Sequence, residues 1–227
     1  MSSSMRMPLS PSSPTSSTAP YVLGLTGGMA AGKSTLGRML RAMGALVWDA
    51  DAAAKHLYKT DRSLRTKVLE QFGHALAIVD GQGQHIDIDR PQLAAIVFSD
   101  PDSLQWLERQ VHPSVAQAFE TWKLRQPLNA PYLVREAAIL FETGGDRSCH
   151  AVATVEAPRD VRLARAVARG STHEDAQLRM DQQWTSDMRE AKASWRVQND
   201  GEQPLLPQAH VLHCAVLEEA IKHRRSH

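Results

Sequence analysis

Gly27-Gly28-Met29-Ala30-Ala31-Gly32-Lys33-Ser34 decides the reading of this chain. The stretch fits G-x-x-x-x-G-K-[ST], a phosphate-binding pattern, and its flanks give that pattern mechanical meaning. Before it, Tyr21-Val22-Leu23-Gly24-Leu25-Thr26 is a short apolar run that reads as a buried strand. After it, Leu36, Met39, Leu40 and Met43 recur at helical spacing. In a strand–turn–helix of this kind the backbone N–H groups of the turn and helix start point at phosphate oxygens. Lys33 would reach the outer phosphates, and the Ser34 hydroxyl would ligate Mg²⁺. A glycine-rich turn that binds nothing is disfavoured because the full spacing and both flanks occur together.

Composition frames this reading without adding chemistry. The chain has 227 residues, enough for a substantial core. A net charge of +1 gives no reason to propose a nucleic-acid or membrane partner, and no apolar run is long enough to span a bilayer. Cys149 and Cys214 lie far apart and outside any Cys-x-x-Cys pair, so zinc-ribbon and thioredoxin chemistry lack support. A reducing, cytoplasmic setting is the simplest expectation. Residues 1–20 are dominated by Ser, Pro and Thr and are expected to be disordered, since they bury too little surface to offset ordering entropy. They lack a secretory apolar region, and Arg6 is their one positive charge, which gives a transit-peptide reading little support. A start site placed too early, given Met5 and Met7, is an equal explanation of the tail.

The next landmark is Ala45-Leu46-Val47-Trp48-Asp49-Ala50-Asp51. A short apolar strand ends in two carboxylates, and ligands of open α/β sheets bind beyond the carboxyl ends of strands. Alternation along an extended chain would put Asp49 and Asp51 on one face. Beside a phosphate site they suit metal coordination and proton abstraction from an attacking hydroxyl. Either could equally cap the helix that runs through Ala52-Ala53-Ala54-Lys55-His56-Leu57, and the two readings overlap.

From here the residues resemble the dephospho-CoA kinase family. Gly24-Leu25-Thr26-Gly27-Gly28-Met29, Gly32-Lys33-Ser34-Thr35 and Asp49-Ala50-Asp51 are similar to that family's G-L-T-G-G-I-x-x-G-K-S-T and D-A-D. Ile88-Asp89-Arg90-Pro91-Gln92-Leu93, Ile96-Val97-Phe98 and His112-Pro113-Ser114-Val115 follow its D-R-x-x-L, V-F and H-P-x-V stations. Ala138-Ile139-Leu140-Phe141-Glu142 resembles P-L-L-F-E, Arg179 with Gln183 fits R-x-x-x-Q, and Asn199-Asp200-Gly201 fits N-x-G. The likeness runs over about 21–220 and departs locally. Ala138 replaces a common Pro, Ala30 a frequent Gly, and Lys55 an arginine that helps hold substrate phosphate; Ala193-Ser194 stands for A-D. Lysine keeps the charge but loses the bidentate fork.

The resemblance implies an α/β fold: a P-loop NTPase-type, largely parallel sheet flanked by helices, with a helical acceptor-binding insertion and a helical lid. Strands are expected over 21–26, 45–48, 132–140 and 151–156, with a weaker one near 195–198. About eighty residues separate the second and third strands, too many for a simple crossover. Periodicity predicts helices there over 61–72 and 101–125, with a short turn at 92–98. The expected organisation is a tail over 1–20, then a kinase domain over 21–220 and a C-terminal tail over 221–227. Within that domain the core takes 21–57, 130–160 and 195–220, the insertion 58–129 and the lid 159–193. A lid that closes over phosphates needs cations, and 159–193 carries six arginines. Any one of them can be a solvated helix face. Arg165 and Arg169, one turn apart, match the family lid.

The implied reaction transfers the γ-phosphoryl of ATP to the 3′-hydroxyl of dephospho-CoA, giving CoA and ADP. The implied catalytic set is Asp51, Lys33 and Arg165. ATP contacts fall to Ala30, Ala31, Gly32, Lys33, Ser34, Thr35, Arg169 and Asn199, and Mg²⁺ to Ser34 and Asp49. Acceptor contacts fall to Asp51, Lys55, His112, Phe141 and Glu142, with Phe141 expected at a strand end lining the acceptor pocket. His112-Pro113 is open between a capped turn with a structural histidine and a substrate-facing role. His210, His213 and Cys214 share a helix face but lack a fourth ligand, so packing roles are expected. Another nucleoside or nucleotide kinase is the alternative, against which D-A-D and H-P argue. A GTP switch would need N-K-x-D, which is missing from the sequence. A monomer is expected.

Overall fold

The computed structural model describes residues 19–226, so the expected Ser/Pro-rich tail lies outside the described residues through position 18. The chain opens with β1 (Val22–Gly27), α1 (Lys33–Ala42), β2 (Leu46–Asp49), α2 (Ala50–Thr60) and α3 (Arg62–Phe72). A hairpin of β3 (Ala77–Val79) and β4 (His85–Ile88) follows, then α4 (Arg90–Ser99), α5 (Pro101–Leu124) and β5 (Leu133–Glu136). The last part holds β6 (Ala151–Glu156), α6 (Arg159–Ala168), α7 (His173–Asp181), α8 (Ser186–Lys192), β7 (Trp195–Gln198) and α9 (Leu205–Arg225).

The main sheet has the order β2-β5-β1-β6-β7, and every pairing in it is parallel. β1 sits at its centre with all six residues buried, which explains its near-continuous apolar run: both faces are covered. On one face α1 and α9 pack Leu36, Leu40, Leu212 and Val216 against Leu23, Leu25 and Val155. On the other, Phe119 of α5 and Leu140 pack against Val22, Leu133 and Val152. Each such buried side chain contributes about 1.5–3 kcal/mol. The segment between β2 and β5 also builds a cluster of its own, including Tyr58, Val68, Leu69, Ile88, Leu93 and Val97, which joins the sheet's packing through Leu57 and Val111.

Caps written in the sequence start most of the helices. Asp49, Asp61, Asp89, Asp100, Thr172 and Thr185 each accept a hydrogen bond from an amide in the first turn of the helix that follows. Pro91 and Pro101 sit in first turns, where the missing N–H costs nothing.

The structure differs from the sequence expectations in six places, the simplest being that the short turn expected at 92–98 is the ten-residue helix α4. The expected strand 132–140 ends at Glu136, and Ala137–Gly144 forms turns that still bury Leu140 and Phe141; an apolar run alone cannot separate strand from buried turn. His112-Pro113 lies inside α5 rather than at a turn, because Pro113 removes one hydrogen bond that the 24-residue helix tolerates. The β3–β4 hairpin stands in a stretch expected to be largely helical; Asp80 Oδ1 accepts from the amides of Gln82 and Gln84 to make its turn. Asp49 and Asp51 do not alternate on one strand: Asp49 ends β2 and caps α2, while Asp51 lies in the first turn of α2. The expected tail at 221–227 is helical through Arg225, where α9 ends.

Candidate active site

The loop between β1 and α1 takes its shape from a few backbone positions. Gly32 adopts φ +107° before α1, and a Cβ there would lie 2.1 Å from the Asn199 amide nitrogen, so glycine is required twice over. Among the described residues Ala30 is the non-glycine residue held at positive φ, +60°, a conformation that costs an L-residue about 1–2 kcal/mol. Distant segments fix the loop. Asn199 Nδ2 donates to the Ala31 carbonyl at 2.7 Å, and the Met29 amide donates to Gln183 Oε1 at 2.7 Å. Gln183 Nε2 also donates to the Ala138 carbonyl, which ties α7's exit to the loop and to the segment after β5. Met29 and Ala30 pack against Ala166 of α6 and Ala176 and Met180 of α7.

Glu136 stands at the carboxyl end of β5, beside Asp49 in register and next to β1. Its Oε1 accepts the Ser34 hydroxyl at 2.7 Å and lies 3.9 Å from Lys33 Nζ. Burial raises the Glu136 carboxyl above its ordinary range, with Ser34 and Lys33 pulling it back and Asp49 and Asp51 pushing further. Asp51 is likewise raised, by desolvation from the surrounding protein and a further push from Asp49 against the pull of Lys33, although the residue is exposed to solvent at the cleft. Three carboxylates, Lys33 and Ser34 thus share one electrostatic neighbourhood at the sheet's carboxyl edge.

Two cavities meet at Lys33. A loop cavity of about 320 Å³ is lined by Gly28, Gly32, Ser34 and Thr35 together with Arg38 and Arg169. A transfer cavity of about 570 Å³ is lined by Lys33, Asp51, His112, Glu142, Arg179 and Gln183. Burial lowers the His112 imidazole, against the pull of Glu108, which favours its neutral form. Among the described residues no trio of His, Cys, Asp and Glu is gathered closely enough to hold a metal by itself. A polar backbone loop, a lysine and a hydroxyl beside a carboxylate are the parts that a nucleoside triphosphate and its metal require.

The family model described as dephospho-CoA kinase matches residues 21–204. This chain belongs to the dephospho-CoA kinase family. A dephospho-CoA kinase of Chlorobaculum tepidum is 40% identical over 183 residues, covering 80% of this chain and 88% of that protein. One of Deinococcus radiodurans is 38% identical over 190 residues, covering 83% and 88%. Among solved structures, TT1252 from Thermus thermophilus aligns with TM-score 0.72 and 30% identity, over 89% of this chain and 98% of that one. A dephospho-CoA kinase from Campylobacter jejuni aligns with TM-score 0.60 at 22% identity, over 87% and 96%, which supports the fold.

Within this family member the expected site residues divide. Ala30, Ala31, Gly32, Lys33, Ser34, Thr35 and Arg169 line the loop cavity, and Asp51, His112 and Glu142 line the transfer cavity. Glu142 Oε1 accepts the Trp184 amide, while its Oε2 is buried without a partner. Lys55 is exposed one helical turn beyond Asp51, and its charge lowers that carboxyl. Arg165 does not line the loop cavity: its Nη1 donates to the Asn199 carbonyl at 2.8 Å, so it braces the segment that braces the loop. Phe141 neither ends a strand nor lines the transfer cavity. It is buried and stacked on Trp184 at 5.6 Å, with Lys192 over its ring. His210 reaches Cys214 at 3.8 Å, and His213 meets the Tyr132 hydroxyl at 2.8 Å.

Two residues escaped sequence reasoning. Glu136 was one carboxylate within an expected apolar strand; its place at a strand end beside Ser34 was the available signal. Arg189 read as one more lid arginine, yet it is 1% exposed and grips Glu156 with two bonds of 2.7 Å. Thr154 and Ser186 also donate to Glu156. Burial would raise that carboxyl, but these donors together hold it below its ordinary value.

Proposed function

We propose that this kinase transfers the γ-phosphoryl group of ATP to the 3′-hydroxyl of dephospho-CoA, giving CoA and ADP. The observation that carries the mechanism is the convergence of Lys33, Asp51 and His112 on one cavity that opens from the phosphate loop. The loop amides and Lys33 hold the β- and γ-phosphates, and the positive start of α1 favours their charge. Asp51 accepts the proton of the attacking hydroxyl, a role its raised carboxyl suits. Arg169, on the loop cavity, and Arg179, on the transfer cavity, neutralise charge on the phosphoryl oxygens in flight. Magnesium would be held by the Ser34 hydroxyl with Glu136 and Asp49 near it, and would supply charge neutralisation. Neutral His112, on the transfer cavity, orients the acceptor. Catalysis in this arrangement is positioning and electrostatics, as phosphoryl transfer demands.

A coupled ADP-release assay over a panel of acceptors tests the reading. Dephospho-CoA should give the highest kcat/KM, with nucleosides and nucleotides well below it. A higher kcat/KM for another nucleotide acceptor would overturn the assignment.

A further inference from the structure

Arg135 lies in the middle of β5, an otherwise apolar strand apart from Glu136, and is 6% exposed. It forms no ion pair among the described residues. Its Nη1 donates to the Gly145 carbonyl at 3.3 Å and to Ser148 Oγ at 2.5 Å, both neutral acceptors. The guanidinium lies 4.7 Å from the Phe119 ring centroid and 5.9 Å from that of Trp48, and its Nε is buried without a partner. A buried cation this poorly compensated is expensive, so its retention calls for a further partner.

The cavity it lines supplies the place. A second hollow of about 400 Å³ is walled mainly by Ala54, Val111, Val115, Ala137 and Ile139, with Arg135, Arg147 and Ser148 among its polar groups. It shares Asp51, His112, Ile139 and Thr143 with the transfer cavity, so a nucleoside whose hydroxyl faces Asp51 has this hollow beside it. Apolar walls with a few placed donors match a flat heteroaromatic ring.

We infer that this hollow takes the purine base of the acceptor nucleoside, and that Arg135 reads the base by donating to one of its ring nitrogens. The inference rests on the kinase reading above, since Asp51 has to face the ribose hydroxyl. Ser148 and Gly145 are positioning groups that hold the guanidinium in plane.

The test compares adenosine, which lacks the linker phosphates, with its 1-, 3- and 7-deaza analogues as acceptors or as competitors of dephospho-CoA. With the unaltered chain, one of the three replacements should cost about 10- to 100-fold, the worth of a hydrogen bond from a charged donor. In Arg135→Met that difference should vanish, while kcat/KM for adenosine and dephospho-CoA falls by a similar factor. Equal use of all three analogues overturns the inference. So does an Arg135→Met loss confined to dephospho-CoA, which would assign the guanidinium to the linker phosphates. Should Arg135→Met not fold, the deaza series on the unaltered chain still decides, and Ser148→Ala gives a milder version of the same loss. If dephospho-CoA itself is not turned over, the kinase reading fails separately, and calorimetric binding of adenosine against the deaza series still reads the hollow.

Discussion

The loop cavity draws most of its groups from one continuous stretch, Gly28 to Thr35, whereas the transfer cavity gathers Lys33, Asp51, His112 and Gln183 from four separate segments. The first is a backbone device: its shape follows from Gly32, Ala30 and the start of α1. The second exists only when α2, α5, the segment after β5 and the lid are packed together. A substitution on the loop side should therefore act on chemistry with the fold intact. One in the contacts that hold the lid should act through stability and alignment.

The largest expected effect separates two neighbouring carboxylates. Asp51→Asn keeps the shape but cannot take a proton, and should lower single-turnover rates by on the order of 10²–10⁴ with ATP affinity unchanged. Asp49→Asn keeps the α2 cap, because the amide oxygen still accepts from Ala52, and should recover activity as Mg²⁺ is raised. If Asp51→Asn is the variant rescued by Mg²⁺, the roles are reversed. The same assignment has a pH signature. Burial raises the Asp51 carboxyl, and the base works only when ionised. Activity should thus fall as pH drops through a value above the ordinary carboxylate range, and Asp51→Asn should lack that acidic limb. An acidic limb of unchanged position in the variant would transfer it to another group, Glu136 first.

Lys33→Ala should cost on the order of 10²–10³ in turnover while the melting temperature stays close to the parent's, because Lys33 contributes one long ion pair at 3.9 Å. Near-normal turnover in the folded variant would remove Lys33 from the donor site. On the assembled side, Arg189→Ala leaves Glu156 charged and buried among neutral donors. Removing one partner of such a pair costs about 3–5 kcal/mol, which for a chain this size lowers Tm by on the order of 10 °C. A calorimetric scan showing a shift within error would mean that other contacts hold the lid in place. The smallest expected effect returns to the loop. Ala30→Gly relieves a left-handed alanine but loosens the unfolded chain, so denaturant unfolding should shift by less than about 1 kcal/mol. A larger loss would show that the Ala30 methyl, packed against Met180 and Ala176, matters more than the strain.

The contrast also explains which residues were legible in advance. Lys33 and Ser34 announce themselves because the loop's chemistry is written in consecutive positions. Asp51 was legible through its strand-end motif and family likeness, although the strand-face argument used for it failed, since it belongs to a helix. Glu136 was hidden because a carboxylate in a strand has no local signature; what defines it is Ser34, 102 positions earlier. Arg189 was hidden for the same reason, its meaning resting on Glu156, 33 positions away. Phe141 was misplaced because an aromatic beside a site packs into a wall as readily as it lines a pocket.

By itself the sequence determined the central parallel strands, the phosphate loop, most helix starts and the family. These follow from local rules: strand burial, positive-φ glycine, Asp and Thr caps, and motif spacing. The tertiary structure alone decided which carboxylate meets Ser34, and that Arg169 lines the loop cavity while Arg165 meets a backbone carbonyl. It alone decided that the loop is pinned by Asn199 and Gln183, which lie 168 and 154 residues from the groups they bind. Such contacts depend on packing of the whole core, because the entropy of closing so long a loop is offset by burial elsewhere in the molecule and leaves no mark on neighbouring residues.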